Sequence, residues 1–208
     1  MGSSRREGAP IPFEVRLLLA LLIVLVLPAT ALAGPNPADE LSHLPIEASI
    51  YDKATHCSAK TKPGMLELQH WLEENVRGVF WGSYRCEKWG KHEASLHAEN
   101  RAIDWHLDVA NRADRRAADE LIDLLLAPDN AGNEQALARR MGVEELIWDC
   151  EYWAAGMYEP MEYRPCYGKR GKLKKHVNVT VAHRDHIHIG MTKAGAKAKT
   201  SFWRRHTG

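Results

Sequence analysis

Two short segments of this chain alternate apolar and polar residues with a period of two, and nothing else in it restricts the fold as tightly. In Ile103-Asp104-Trp105-His106-Leu107-Asp108-Val109 the odd positions are apolar and the even ones are Asp, His and Asp. His186-Ile187-His188-Ile189-Gly190-Met191 repeats the design, with His186 and His188 set against Ile187, Ile189 and Met191. Side chains alternate across a strand, so each segment predicts a strand with one core face and one polar face. The ordinary fate of such a polar face is contact with water. Laid side by side, however, these two strands bring imidazoles and a carboxylate to one point. Three ligands drawn from His and carboxylate, with a fourth place open to water, are what a catalytic zinc ion takes.

Helical patterns complete the core. After Pro63-Gly64, the residues Met65, Leu68, Trp71, Leu72 and Val76 recur at helical spacing up to Gly78. Asn111–Ala127 predicts a second helix with Pro128 as its stop, and Glu134–Met141 a shorter third closed by Gly142. Val79–Cys86, Leu146–Trp153 and Val177–Ala182 read as further strands, Lys88–Ala94 as a loop, and 154–176 as a long loop ending in the basic stretch Lys169–His176. Trp81, Trp89, Trp105, Trp148 and Trp153 gather around these segments, where core packing is their ordinary role. Helices and strands mix without a βαβ rhythm. The expected class is α+β, a small antiparallel sheet of about four or five strands carrying the zinc cleft and flanked by about three helices.

The first residues belong to a different physical regime. Arg5, Arg6 and Arg16 precede the apolar run Leu17–Leu27, and Ala31-Leu32-Ala33 offers the small residues of a signal-peptidase site. Residues 1–33 are therefore expected to be a removed signal peptide, the competing reading being an uncleaved anchor at the short limit of a bilayer span. Cleavage leaves no stable membrane association. All four cysteines, Cys57, Cys86, Cys150 and Cys166, follow this segment, as suits an oxidising compartment. Four cysteines allow three pairings, and none has C-x-x-C spacing. The expected pairs are Cys57 with Cys86 and Cys150 with Cys166, the second clamping the Gly/Pro-rich loop between them. Removing the three Arg and two Glu of residues 1–33 leaves 25 basic and 25 acidic side chains, a balance that gives no support to nucleic-acid binding. Residues 34–60, with Pro35, Pro37 and Pro45, read as a tether, 61–192 as the domain, and 193–208 as a basic tail. A monomer is expected.

The segment Ser95-Leu96-His97-Ala98-Glu99-Asn100-Arg101-Ala102-Ile103-Asp104 resembles the S-x-H-x-x-G-x-A-x-D signature of the zinc D-Ala-D-Ala carboxypeptidases and dipeptidases, the VanX and VanY type. Ser95, His97, Ala102 and Asp104 match in type and spacing. Asn100 stands in place of Gly, a mild departure if the position needs a left-handed backbone. Gly82-Ser83-Tyr84-Arg85 looks like that family's S-G-Y-R with its first two residues inverted, and Asp185-His186-Ile187-His188 corresponds to its E-x-x-H with Asp for Glu. His186 and His188 equally fit the H-x-H of the wider LAS peptidase group, which includes lysostaphin-type enzymes. The chain also looks like an actinobacterial branch of secreted proteins with H-A-E-x-R-A-x-D-W and R-D-H-x-H-I-G motifs.

The resemblance implies Zn²⁺ on His97, Asp104 and His188, oxyanion stabilisation by Arg85, and Asp185 or His186 as general base, with His106 and Asp108 lining the site. The strand face favours His186, whereas the family spacing favours Asp185, which needs a turn or bulge before His186 to reach the site. The implied activity is hydrolysis of peptidoglycan stem peptides beside a D-amino acid, outside the cytoplasm at the cell wall. The competing expectation is a wall-associated binding module that keeps the fold without turnover.

Overall fold

The computed structural model describes residues 34–206, so the expected signal peptide, with Leu17–Leu27 and Ala31-Leu32-Ala33, lies outside the described residues. The class is α+β as expected, but the sheet is larger. Six strands, all antiparallel, run in the order β1 (Val79–Gly82), β4 (Ala102–His106), β8 (His186–Met191), β5 (Val143–Trp148), β6 (Glu151–Ala154) and β7 (Met161–Glu162). A separate hairpin pairs β2 (Lys88–Gly90) with β3 (Glu93–Ala94). Four α-helices are present among the described residues: α1 (Pro63–Asn75), α2 (Arg112–Leu126), α3 (Ala136–Met141) and α4 (Ser201–His206).

The period-2 pattern divides the sheet into two faces. Ile103 and Trp105 of β4, Ile187 and Ile189 of β8, Leu146 and Trp148 of β5, and Trp153 of β6 enter one core with Leu68 and Leu72 of α1, Leu121 and Leu125 of α2, Met141 of α3 and Phe202 of α4. At about 25 cal/mol per Å² of apolar surface removed from water, this layer is the main source of stability. On the opposite face, cross-strand pairing sets Asp104 against His188 and His106 against His186. Asp108 does not share that face. The strand ends at His106, and Asp108 is exposed with its Oδ1 accepting from Ala110 N.

Local chemistry explains the other differences from the sequence reading. Leu146–Trp153 is two strands joined by a two-residue turn, in which Asp149 (φ 41°) and Cys150 (φ 68°) both have left-handed backbones. Such a turn usually announces itself by Asn-Gly or Asp-Gly. Here tertiary contacts hold it: Asp149 N donates to His183 O, Cys150 N to Ala182 O, and Arg184 Nε to Asp149 Oδ1. Val177–Ala182 is not a strand. Its backbone curls into turns, with Asn178 Oδ1 accepting from Val181 N and Asn178 O from Ala182 N, a local competition that Asn offers and Val does not. Lys88–Ala94 is the hairpin rather than a loop, tied down by the bridge between Ala54 and Ala94. The strand expected over Val79–Cys86 leaves the sheet after Gly82.

Neither flanking segment hangs free. Pro37–Leu41 forms a 3-10 turn whose Ala38 and Leu41 join the core, and α4 buries Phe202 and Trp203, with Trp203 Nε1 donating to Met141 O. The 34–60 tether and the basic tail are thus parts of the packed unit. The N-terminal segment is held by Arg101, which is fully buried. Its guanidinium meets Glu99 Oε2 at 3.0 Å and Glu144 Oε1 at 2.6 Å, and donates to the carbonyls of Met191 and Asp52.

Both expected disulfides are formed, Cys57–Cys86 and Cys150–Cys166, and no free cysteine remains among the described residues. This suits an oxidising compartment. Titration of the denatured, unreduced protein should find no reactive thiol, and two per chain would contradict the pairing. Opening Cys150–Cys166, which links residues 16 apart, is expected to cost about 3 kcal/mol in denaturant unfolding. Arg101→Ala strands two buried carboxylates and should cost about 3–5 kcal/mol in the same measurement.

Candidate metal centre

His97 sits on a 3-10 turn, Leu96–Glu99, whose local sequence dictates its shape. Ser95 caps it by accepting from His97 N, and Asn100 closes it in the left-handed region (φ 51°, ψ 52°) while donating its N–H to His97 O. Asn is among the few non-glycine residues that adopt this conformation cheaply, so the substitution at that place leaves the turn intact. The His97 ring donates from Nδ1 to the Ser83 carbonyl at 2.9 Å, which turns Nε2 inward.

There Nε2 lies 3.0 Å from His188 Nδ1 and 3.0 Å from Asp104 Oδ1, and the third edge, His188 Nδ1 to Asp104 Oδ1, is 3.5 Å. All three residues are buried, and Asp104 Oδ1 makes no hydrogen bond. Ligand atoms placed tetrahedrally at 2.0–2.1 Å around an ion stand about 3.3–3.4 Å apart, so the observed triangle has the size that a metal requires. These are the three residues expected from the sequence, and among the described residues they form the one such cluster.

The remaining expected residues lie around this triangle. Arg85 is half-exposed and reaches over it, paired with Asp104 and with Glu87 Oε1 at 3.1 Å. Asp185 precedes the first residue of β8 and turns its carboxylate sideways, Oδ1 accepting from His186 Nδ1 at 2.7 Å and Oδ2 from the Thr180 hydroxyl at 2.6 Å. His186 Nε2 is left facing Asp104 Oδ1 at 3.6 Å. His106 lines the site, its Nδ1 donating to the Asp185 carbonyl, under the half-exposed Trp81 ring, whose centroid is 4.9 Å away. Trp105, Trp148 and Trp153 are core residues, whereas Trp89 is exposed on the hairpin.

Two site residues escaped the sequence reading. Glu145 of β5 brings Oε1 to 3.0 Å from His188 Nε2, while its Oε2 accepts from the hydroxyls of Tyr51 at 2.8 Å and Tyr152 at 3.3 Å. The signal was the pair Glu144-Glu145 inside an otherwise apolar strand. His183 has a left-handed backbone (φ 51°), and its ring lies 4.6 Å from that of His186. Burial and the neighbouring His188 and His186 push its pKa down to about 3, so it stays neutral near pH 7.

The ligand residues respond to one another. Burial opposes charge on His188, but the Asp104 and Glu145 carboxylates outweigh it and push the pKa up to about 9. Burial likewise opposes charge on Asp104, yet His188 and His97 hold its carboxyl well below the usual range. Burial, with the facing His188, pushes His97 down. The metal-free site thus carries a proton on His188 at neutral pH, and a metal must displace it. Below about pH 9, each unit of falling pH should weaken metal binding roughly tenfold, and binding at pH 7 should release about one proton. Calorimetry in buffers of different ionisation enthalpy checks both. His97→Ala should abolish uptake of the single ion in elemental analysis without unfolding the protein.

No curated protein and no solved structure matches this chain. One family model does, under the description "VldE, C-terminal domain", over residues 57–177. The match takes in Arg85, His97, Asp104 and Glu145 and stops before β8. Because it spans more than half of the sequence, the chain belongs to the VldE C-terminal domain family.

Proposed function

We propose that this protein is a secreted zinc-dependent peptidase that hydrolyses the peptide stems of peptidoglycan, beside a D-amino acid, at the cell wall. The observation that carries the reading is the triangle of His97 Nε2, Asp104 Oδ1 and His188 Nδ1 at ligand spacing. Two imidazoles and one carboxylate are a catalytic zinc donor set, and the resemblance of Ser95–Asp104 to the VanX and VanY signature supports the substrate. Asn100 adopts the left-handed backbone that the signature's glycine implies, which supports the resemblance at that position.

Zinc held by these three residues would polarise a scissile carbonyl and lower the pKa of water towards ~7. The protein's own groups do the rest. His186 takes the proton of the attacking water at Nε2, the nitrogen facing the cluster, and returns it to the leaving amine. Asp185 acts through His186: it fixes the proton on Nδ1 and stabilises the charged ring. This arrangement joins the two alternatives left open by the sequence, since the acidic residue and the histidine form one pair. Arg85, beside Asp104 and open to the cleft, offsets negative charge that develops on the carbonyl oxygen.

Incubating the zinc-loaded protein with muropeptides should release stem-peptide fragments, and His188→Ala should release none. A zinc-loaded wild type without turnover would favour the wall-associated binding module instead. His186→Ala is expected to lower kcat by about 10²–10⁴ with zinc retained. Asp185→Asn should lower it less, and the reverse ranking would make Asp185 itself the base.

A further inference from the structure

We propose that Glu145 is a positioning residue for the metal centre, holding the proton of His188 on Nε2 so that Nδ1 keeps its lone pair for the ion. The inference rests on the metal-centre reading. A neutral imidazole has one proton, and only the nitrogen without it can be a ligand. His188 turns Nδ1 to the cluster, 3.0 Å from His97 Nε2 and 3.5 Å from Asp104 Oδ1. Nε2 points away, is buried and makes no aligned hydrogen bond, and the Glu145 carboxylate stands beside it at ion-pair distance, 3.0 Å.

Glu145 is itself fixed from behind. Its second oxygen accepts from Tyr51, in the extended N-terminal segment, and from Tyr152, on β6. The strand pairing leaves room for it. Glu145 faces Gly190 across the ladder, and a Cβ at that glycine would stand 2.3 Å from Leu96 Cδ1, 3.0 Å from Glu145 Cβ and 3.5 Å from His188 Nε2. The bare backbone thus opens the gap through which Glu145 leans along β8 to His188. His97 is treated in the same way with the opposite nitrogen, since the Ser83 carbonyl takes its Nδ1 and leaves Nε2 for the ion. A carboxylate behind a ligand imidazole fixes the ring and raises its basicity. If Glu145 served only to join Tyr51 to β5, its loss would lower stability and leave the metal untouched.

Competition titration against a zinc chelator separates these roles. Glu145→Gln should lower zinc affinity about 10–100-fold, and Tyr51→Phe should lower it by a smaller factor. Nitrogen NMR of the zinc-loaded wild type should find the His188 proton on Nε2, a readout that needs no variant to fold. Equal zinc affinity in wild type and Glu145→Gln, or a His188 proton on Nδ1, would overturn the positioning role while leaving the metal centre standing. A wild type that takes up no zinc would overturn the metal centre and this role with it.

Discussion

The buried guanidinium of Arg101 is the constraint on which the arrangement of the site depends. It lies four residues after His97 and three before Asp104, and it joins the end of the His97 turn (Glu99), β5 (Glu144), the last residue of β8 (Met191) and the N-terminal segment (Asp52). Taking a cation and two carboxylates out of water costs several kcal/mol per ion, so the network adds little net stability over an apolar cluster of the same shape. Its contribution is geometric. Any shift of the His97 turn against β8 would leave a charge unpaired in the interior, and the two metal-facing imidazoles are thereby held in one relative position.

A second regularity concerns the imidazoles. Four of the rings on the site face have one nitrogen assigned by a neighbour: His97 by the Ser83 carbonyl, His106 by the Asp185 carbonyl, His186 by the Asp185 carboxylate and His188 by Glu145. With one nitrogen assigned, both ring orientation and tautomer follow, and the opposite nitrogen is left for chemistry. In the proposed reaction such preorganisation would leave little reorganisation for the chemical step. It also explains why the acceptors come from several elements, since no one strand could supply acceptors to four rings.

Much of this was legible in the sequence because two physical rules act locally. Period-2 alternation assigned Ile103, Trp105, Ile187 and Ile189 to the core and Asp104, His106, His186 and His188 to the site without any knowledge of neighbours. The capping chemistry of Ser95 and Asn111 likewise depends on residues one to three places away. What was not legible depends on distant partners. Asp149-Cys150 forms a left-handed turn only because the carbonyls of Ala182 and His183 accept its N–H groups, and Val177–Ala182 has strand composition but no strand to pair with. Glu145 was hidden for a third reason. Adjacent glutamates in a strand look like a solvated face, whereas these two point to opposite sides, one to Arg101 and one to His188.

The two-faced construction of β8 governs how such a protein can vary. Six consecutive residues, all buried, are dealt alternately to the core and to the site. A substitution touches one face and leaves the other alone, so the chemistry can drift one side chain at a time without cost to the fold. A one-residue insertion or deletion inside the strand does the opposite. It rotates isoleucine into the cleft and imidazole into the apolar layer in the same event, ruining both. Descendants of this sequence can therefore change length more readily in the exposed turn at 168–172, outside the sheet, but must keep residues 186–191 in phase.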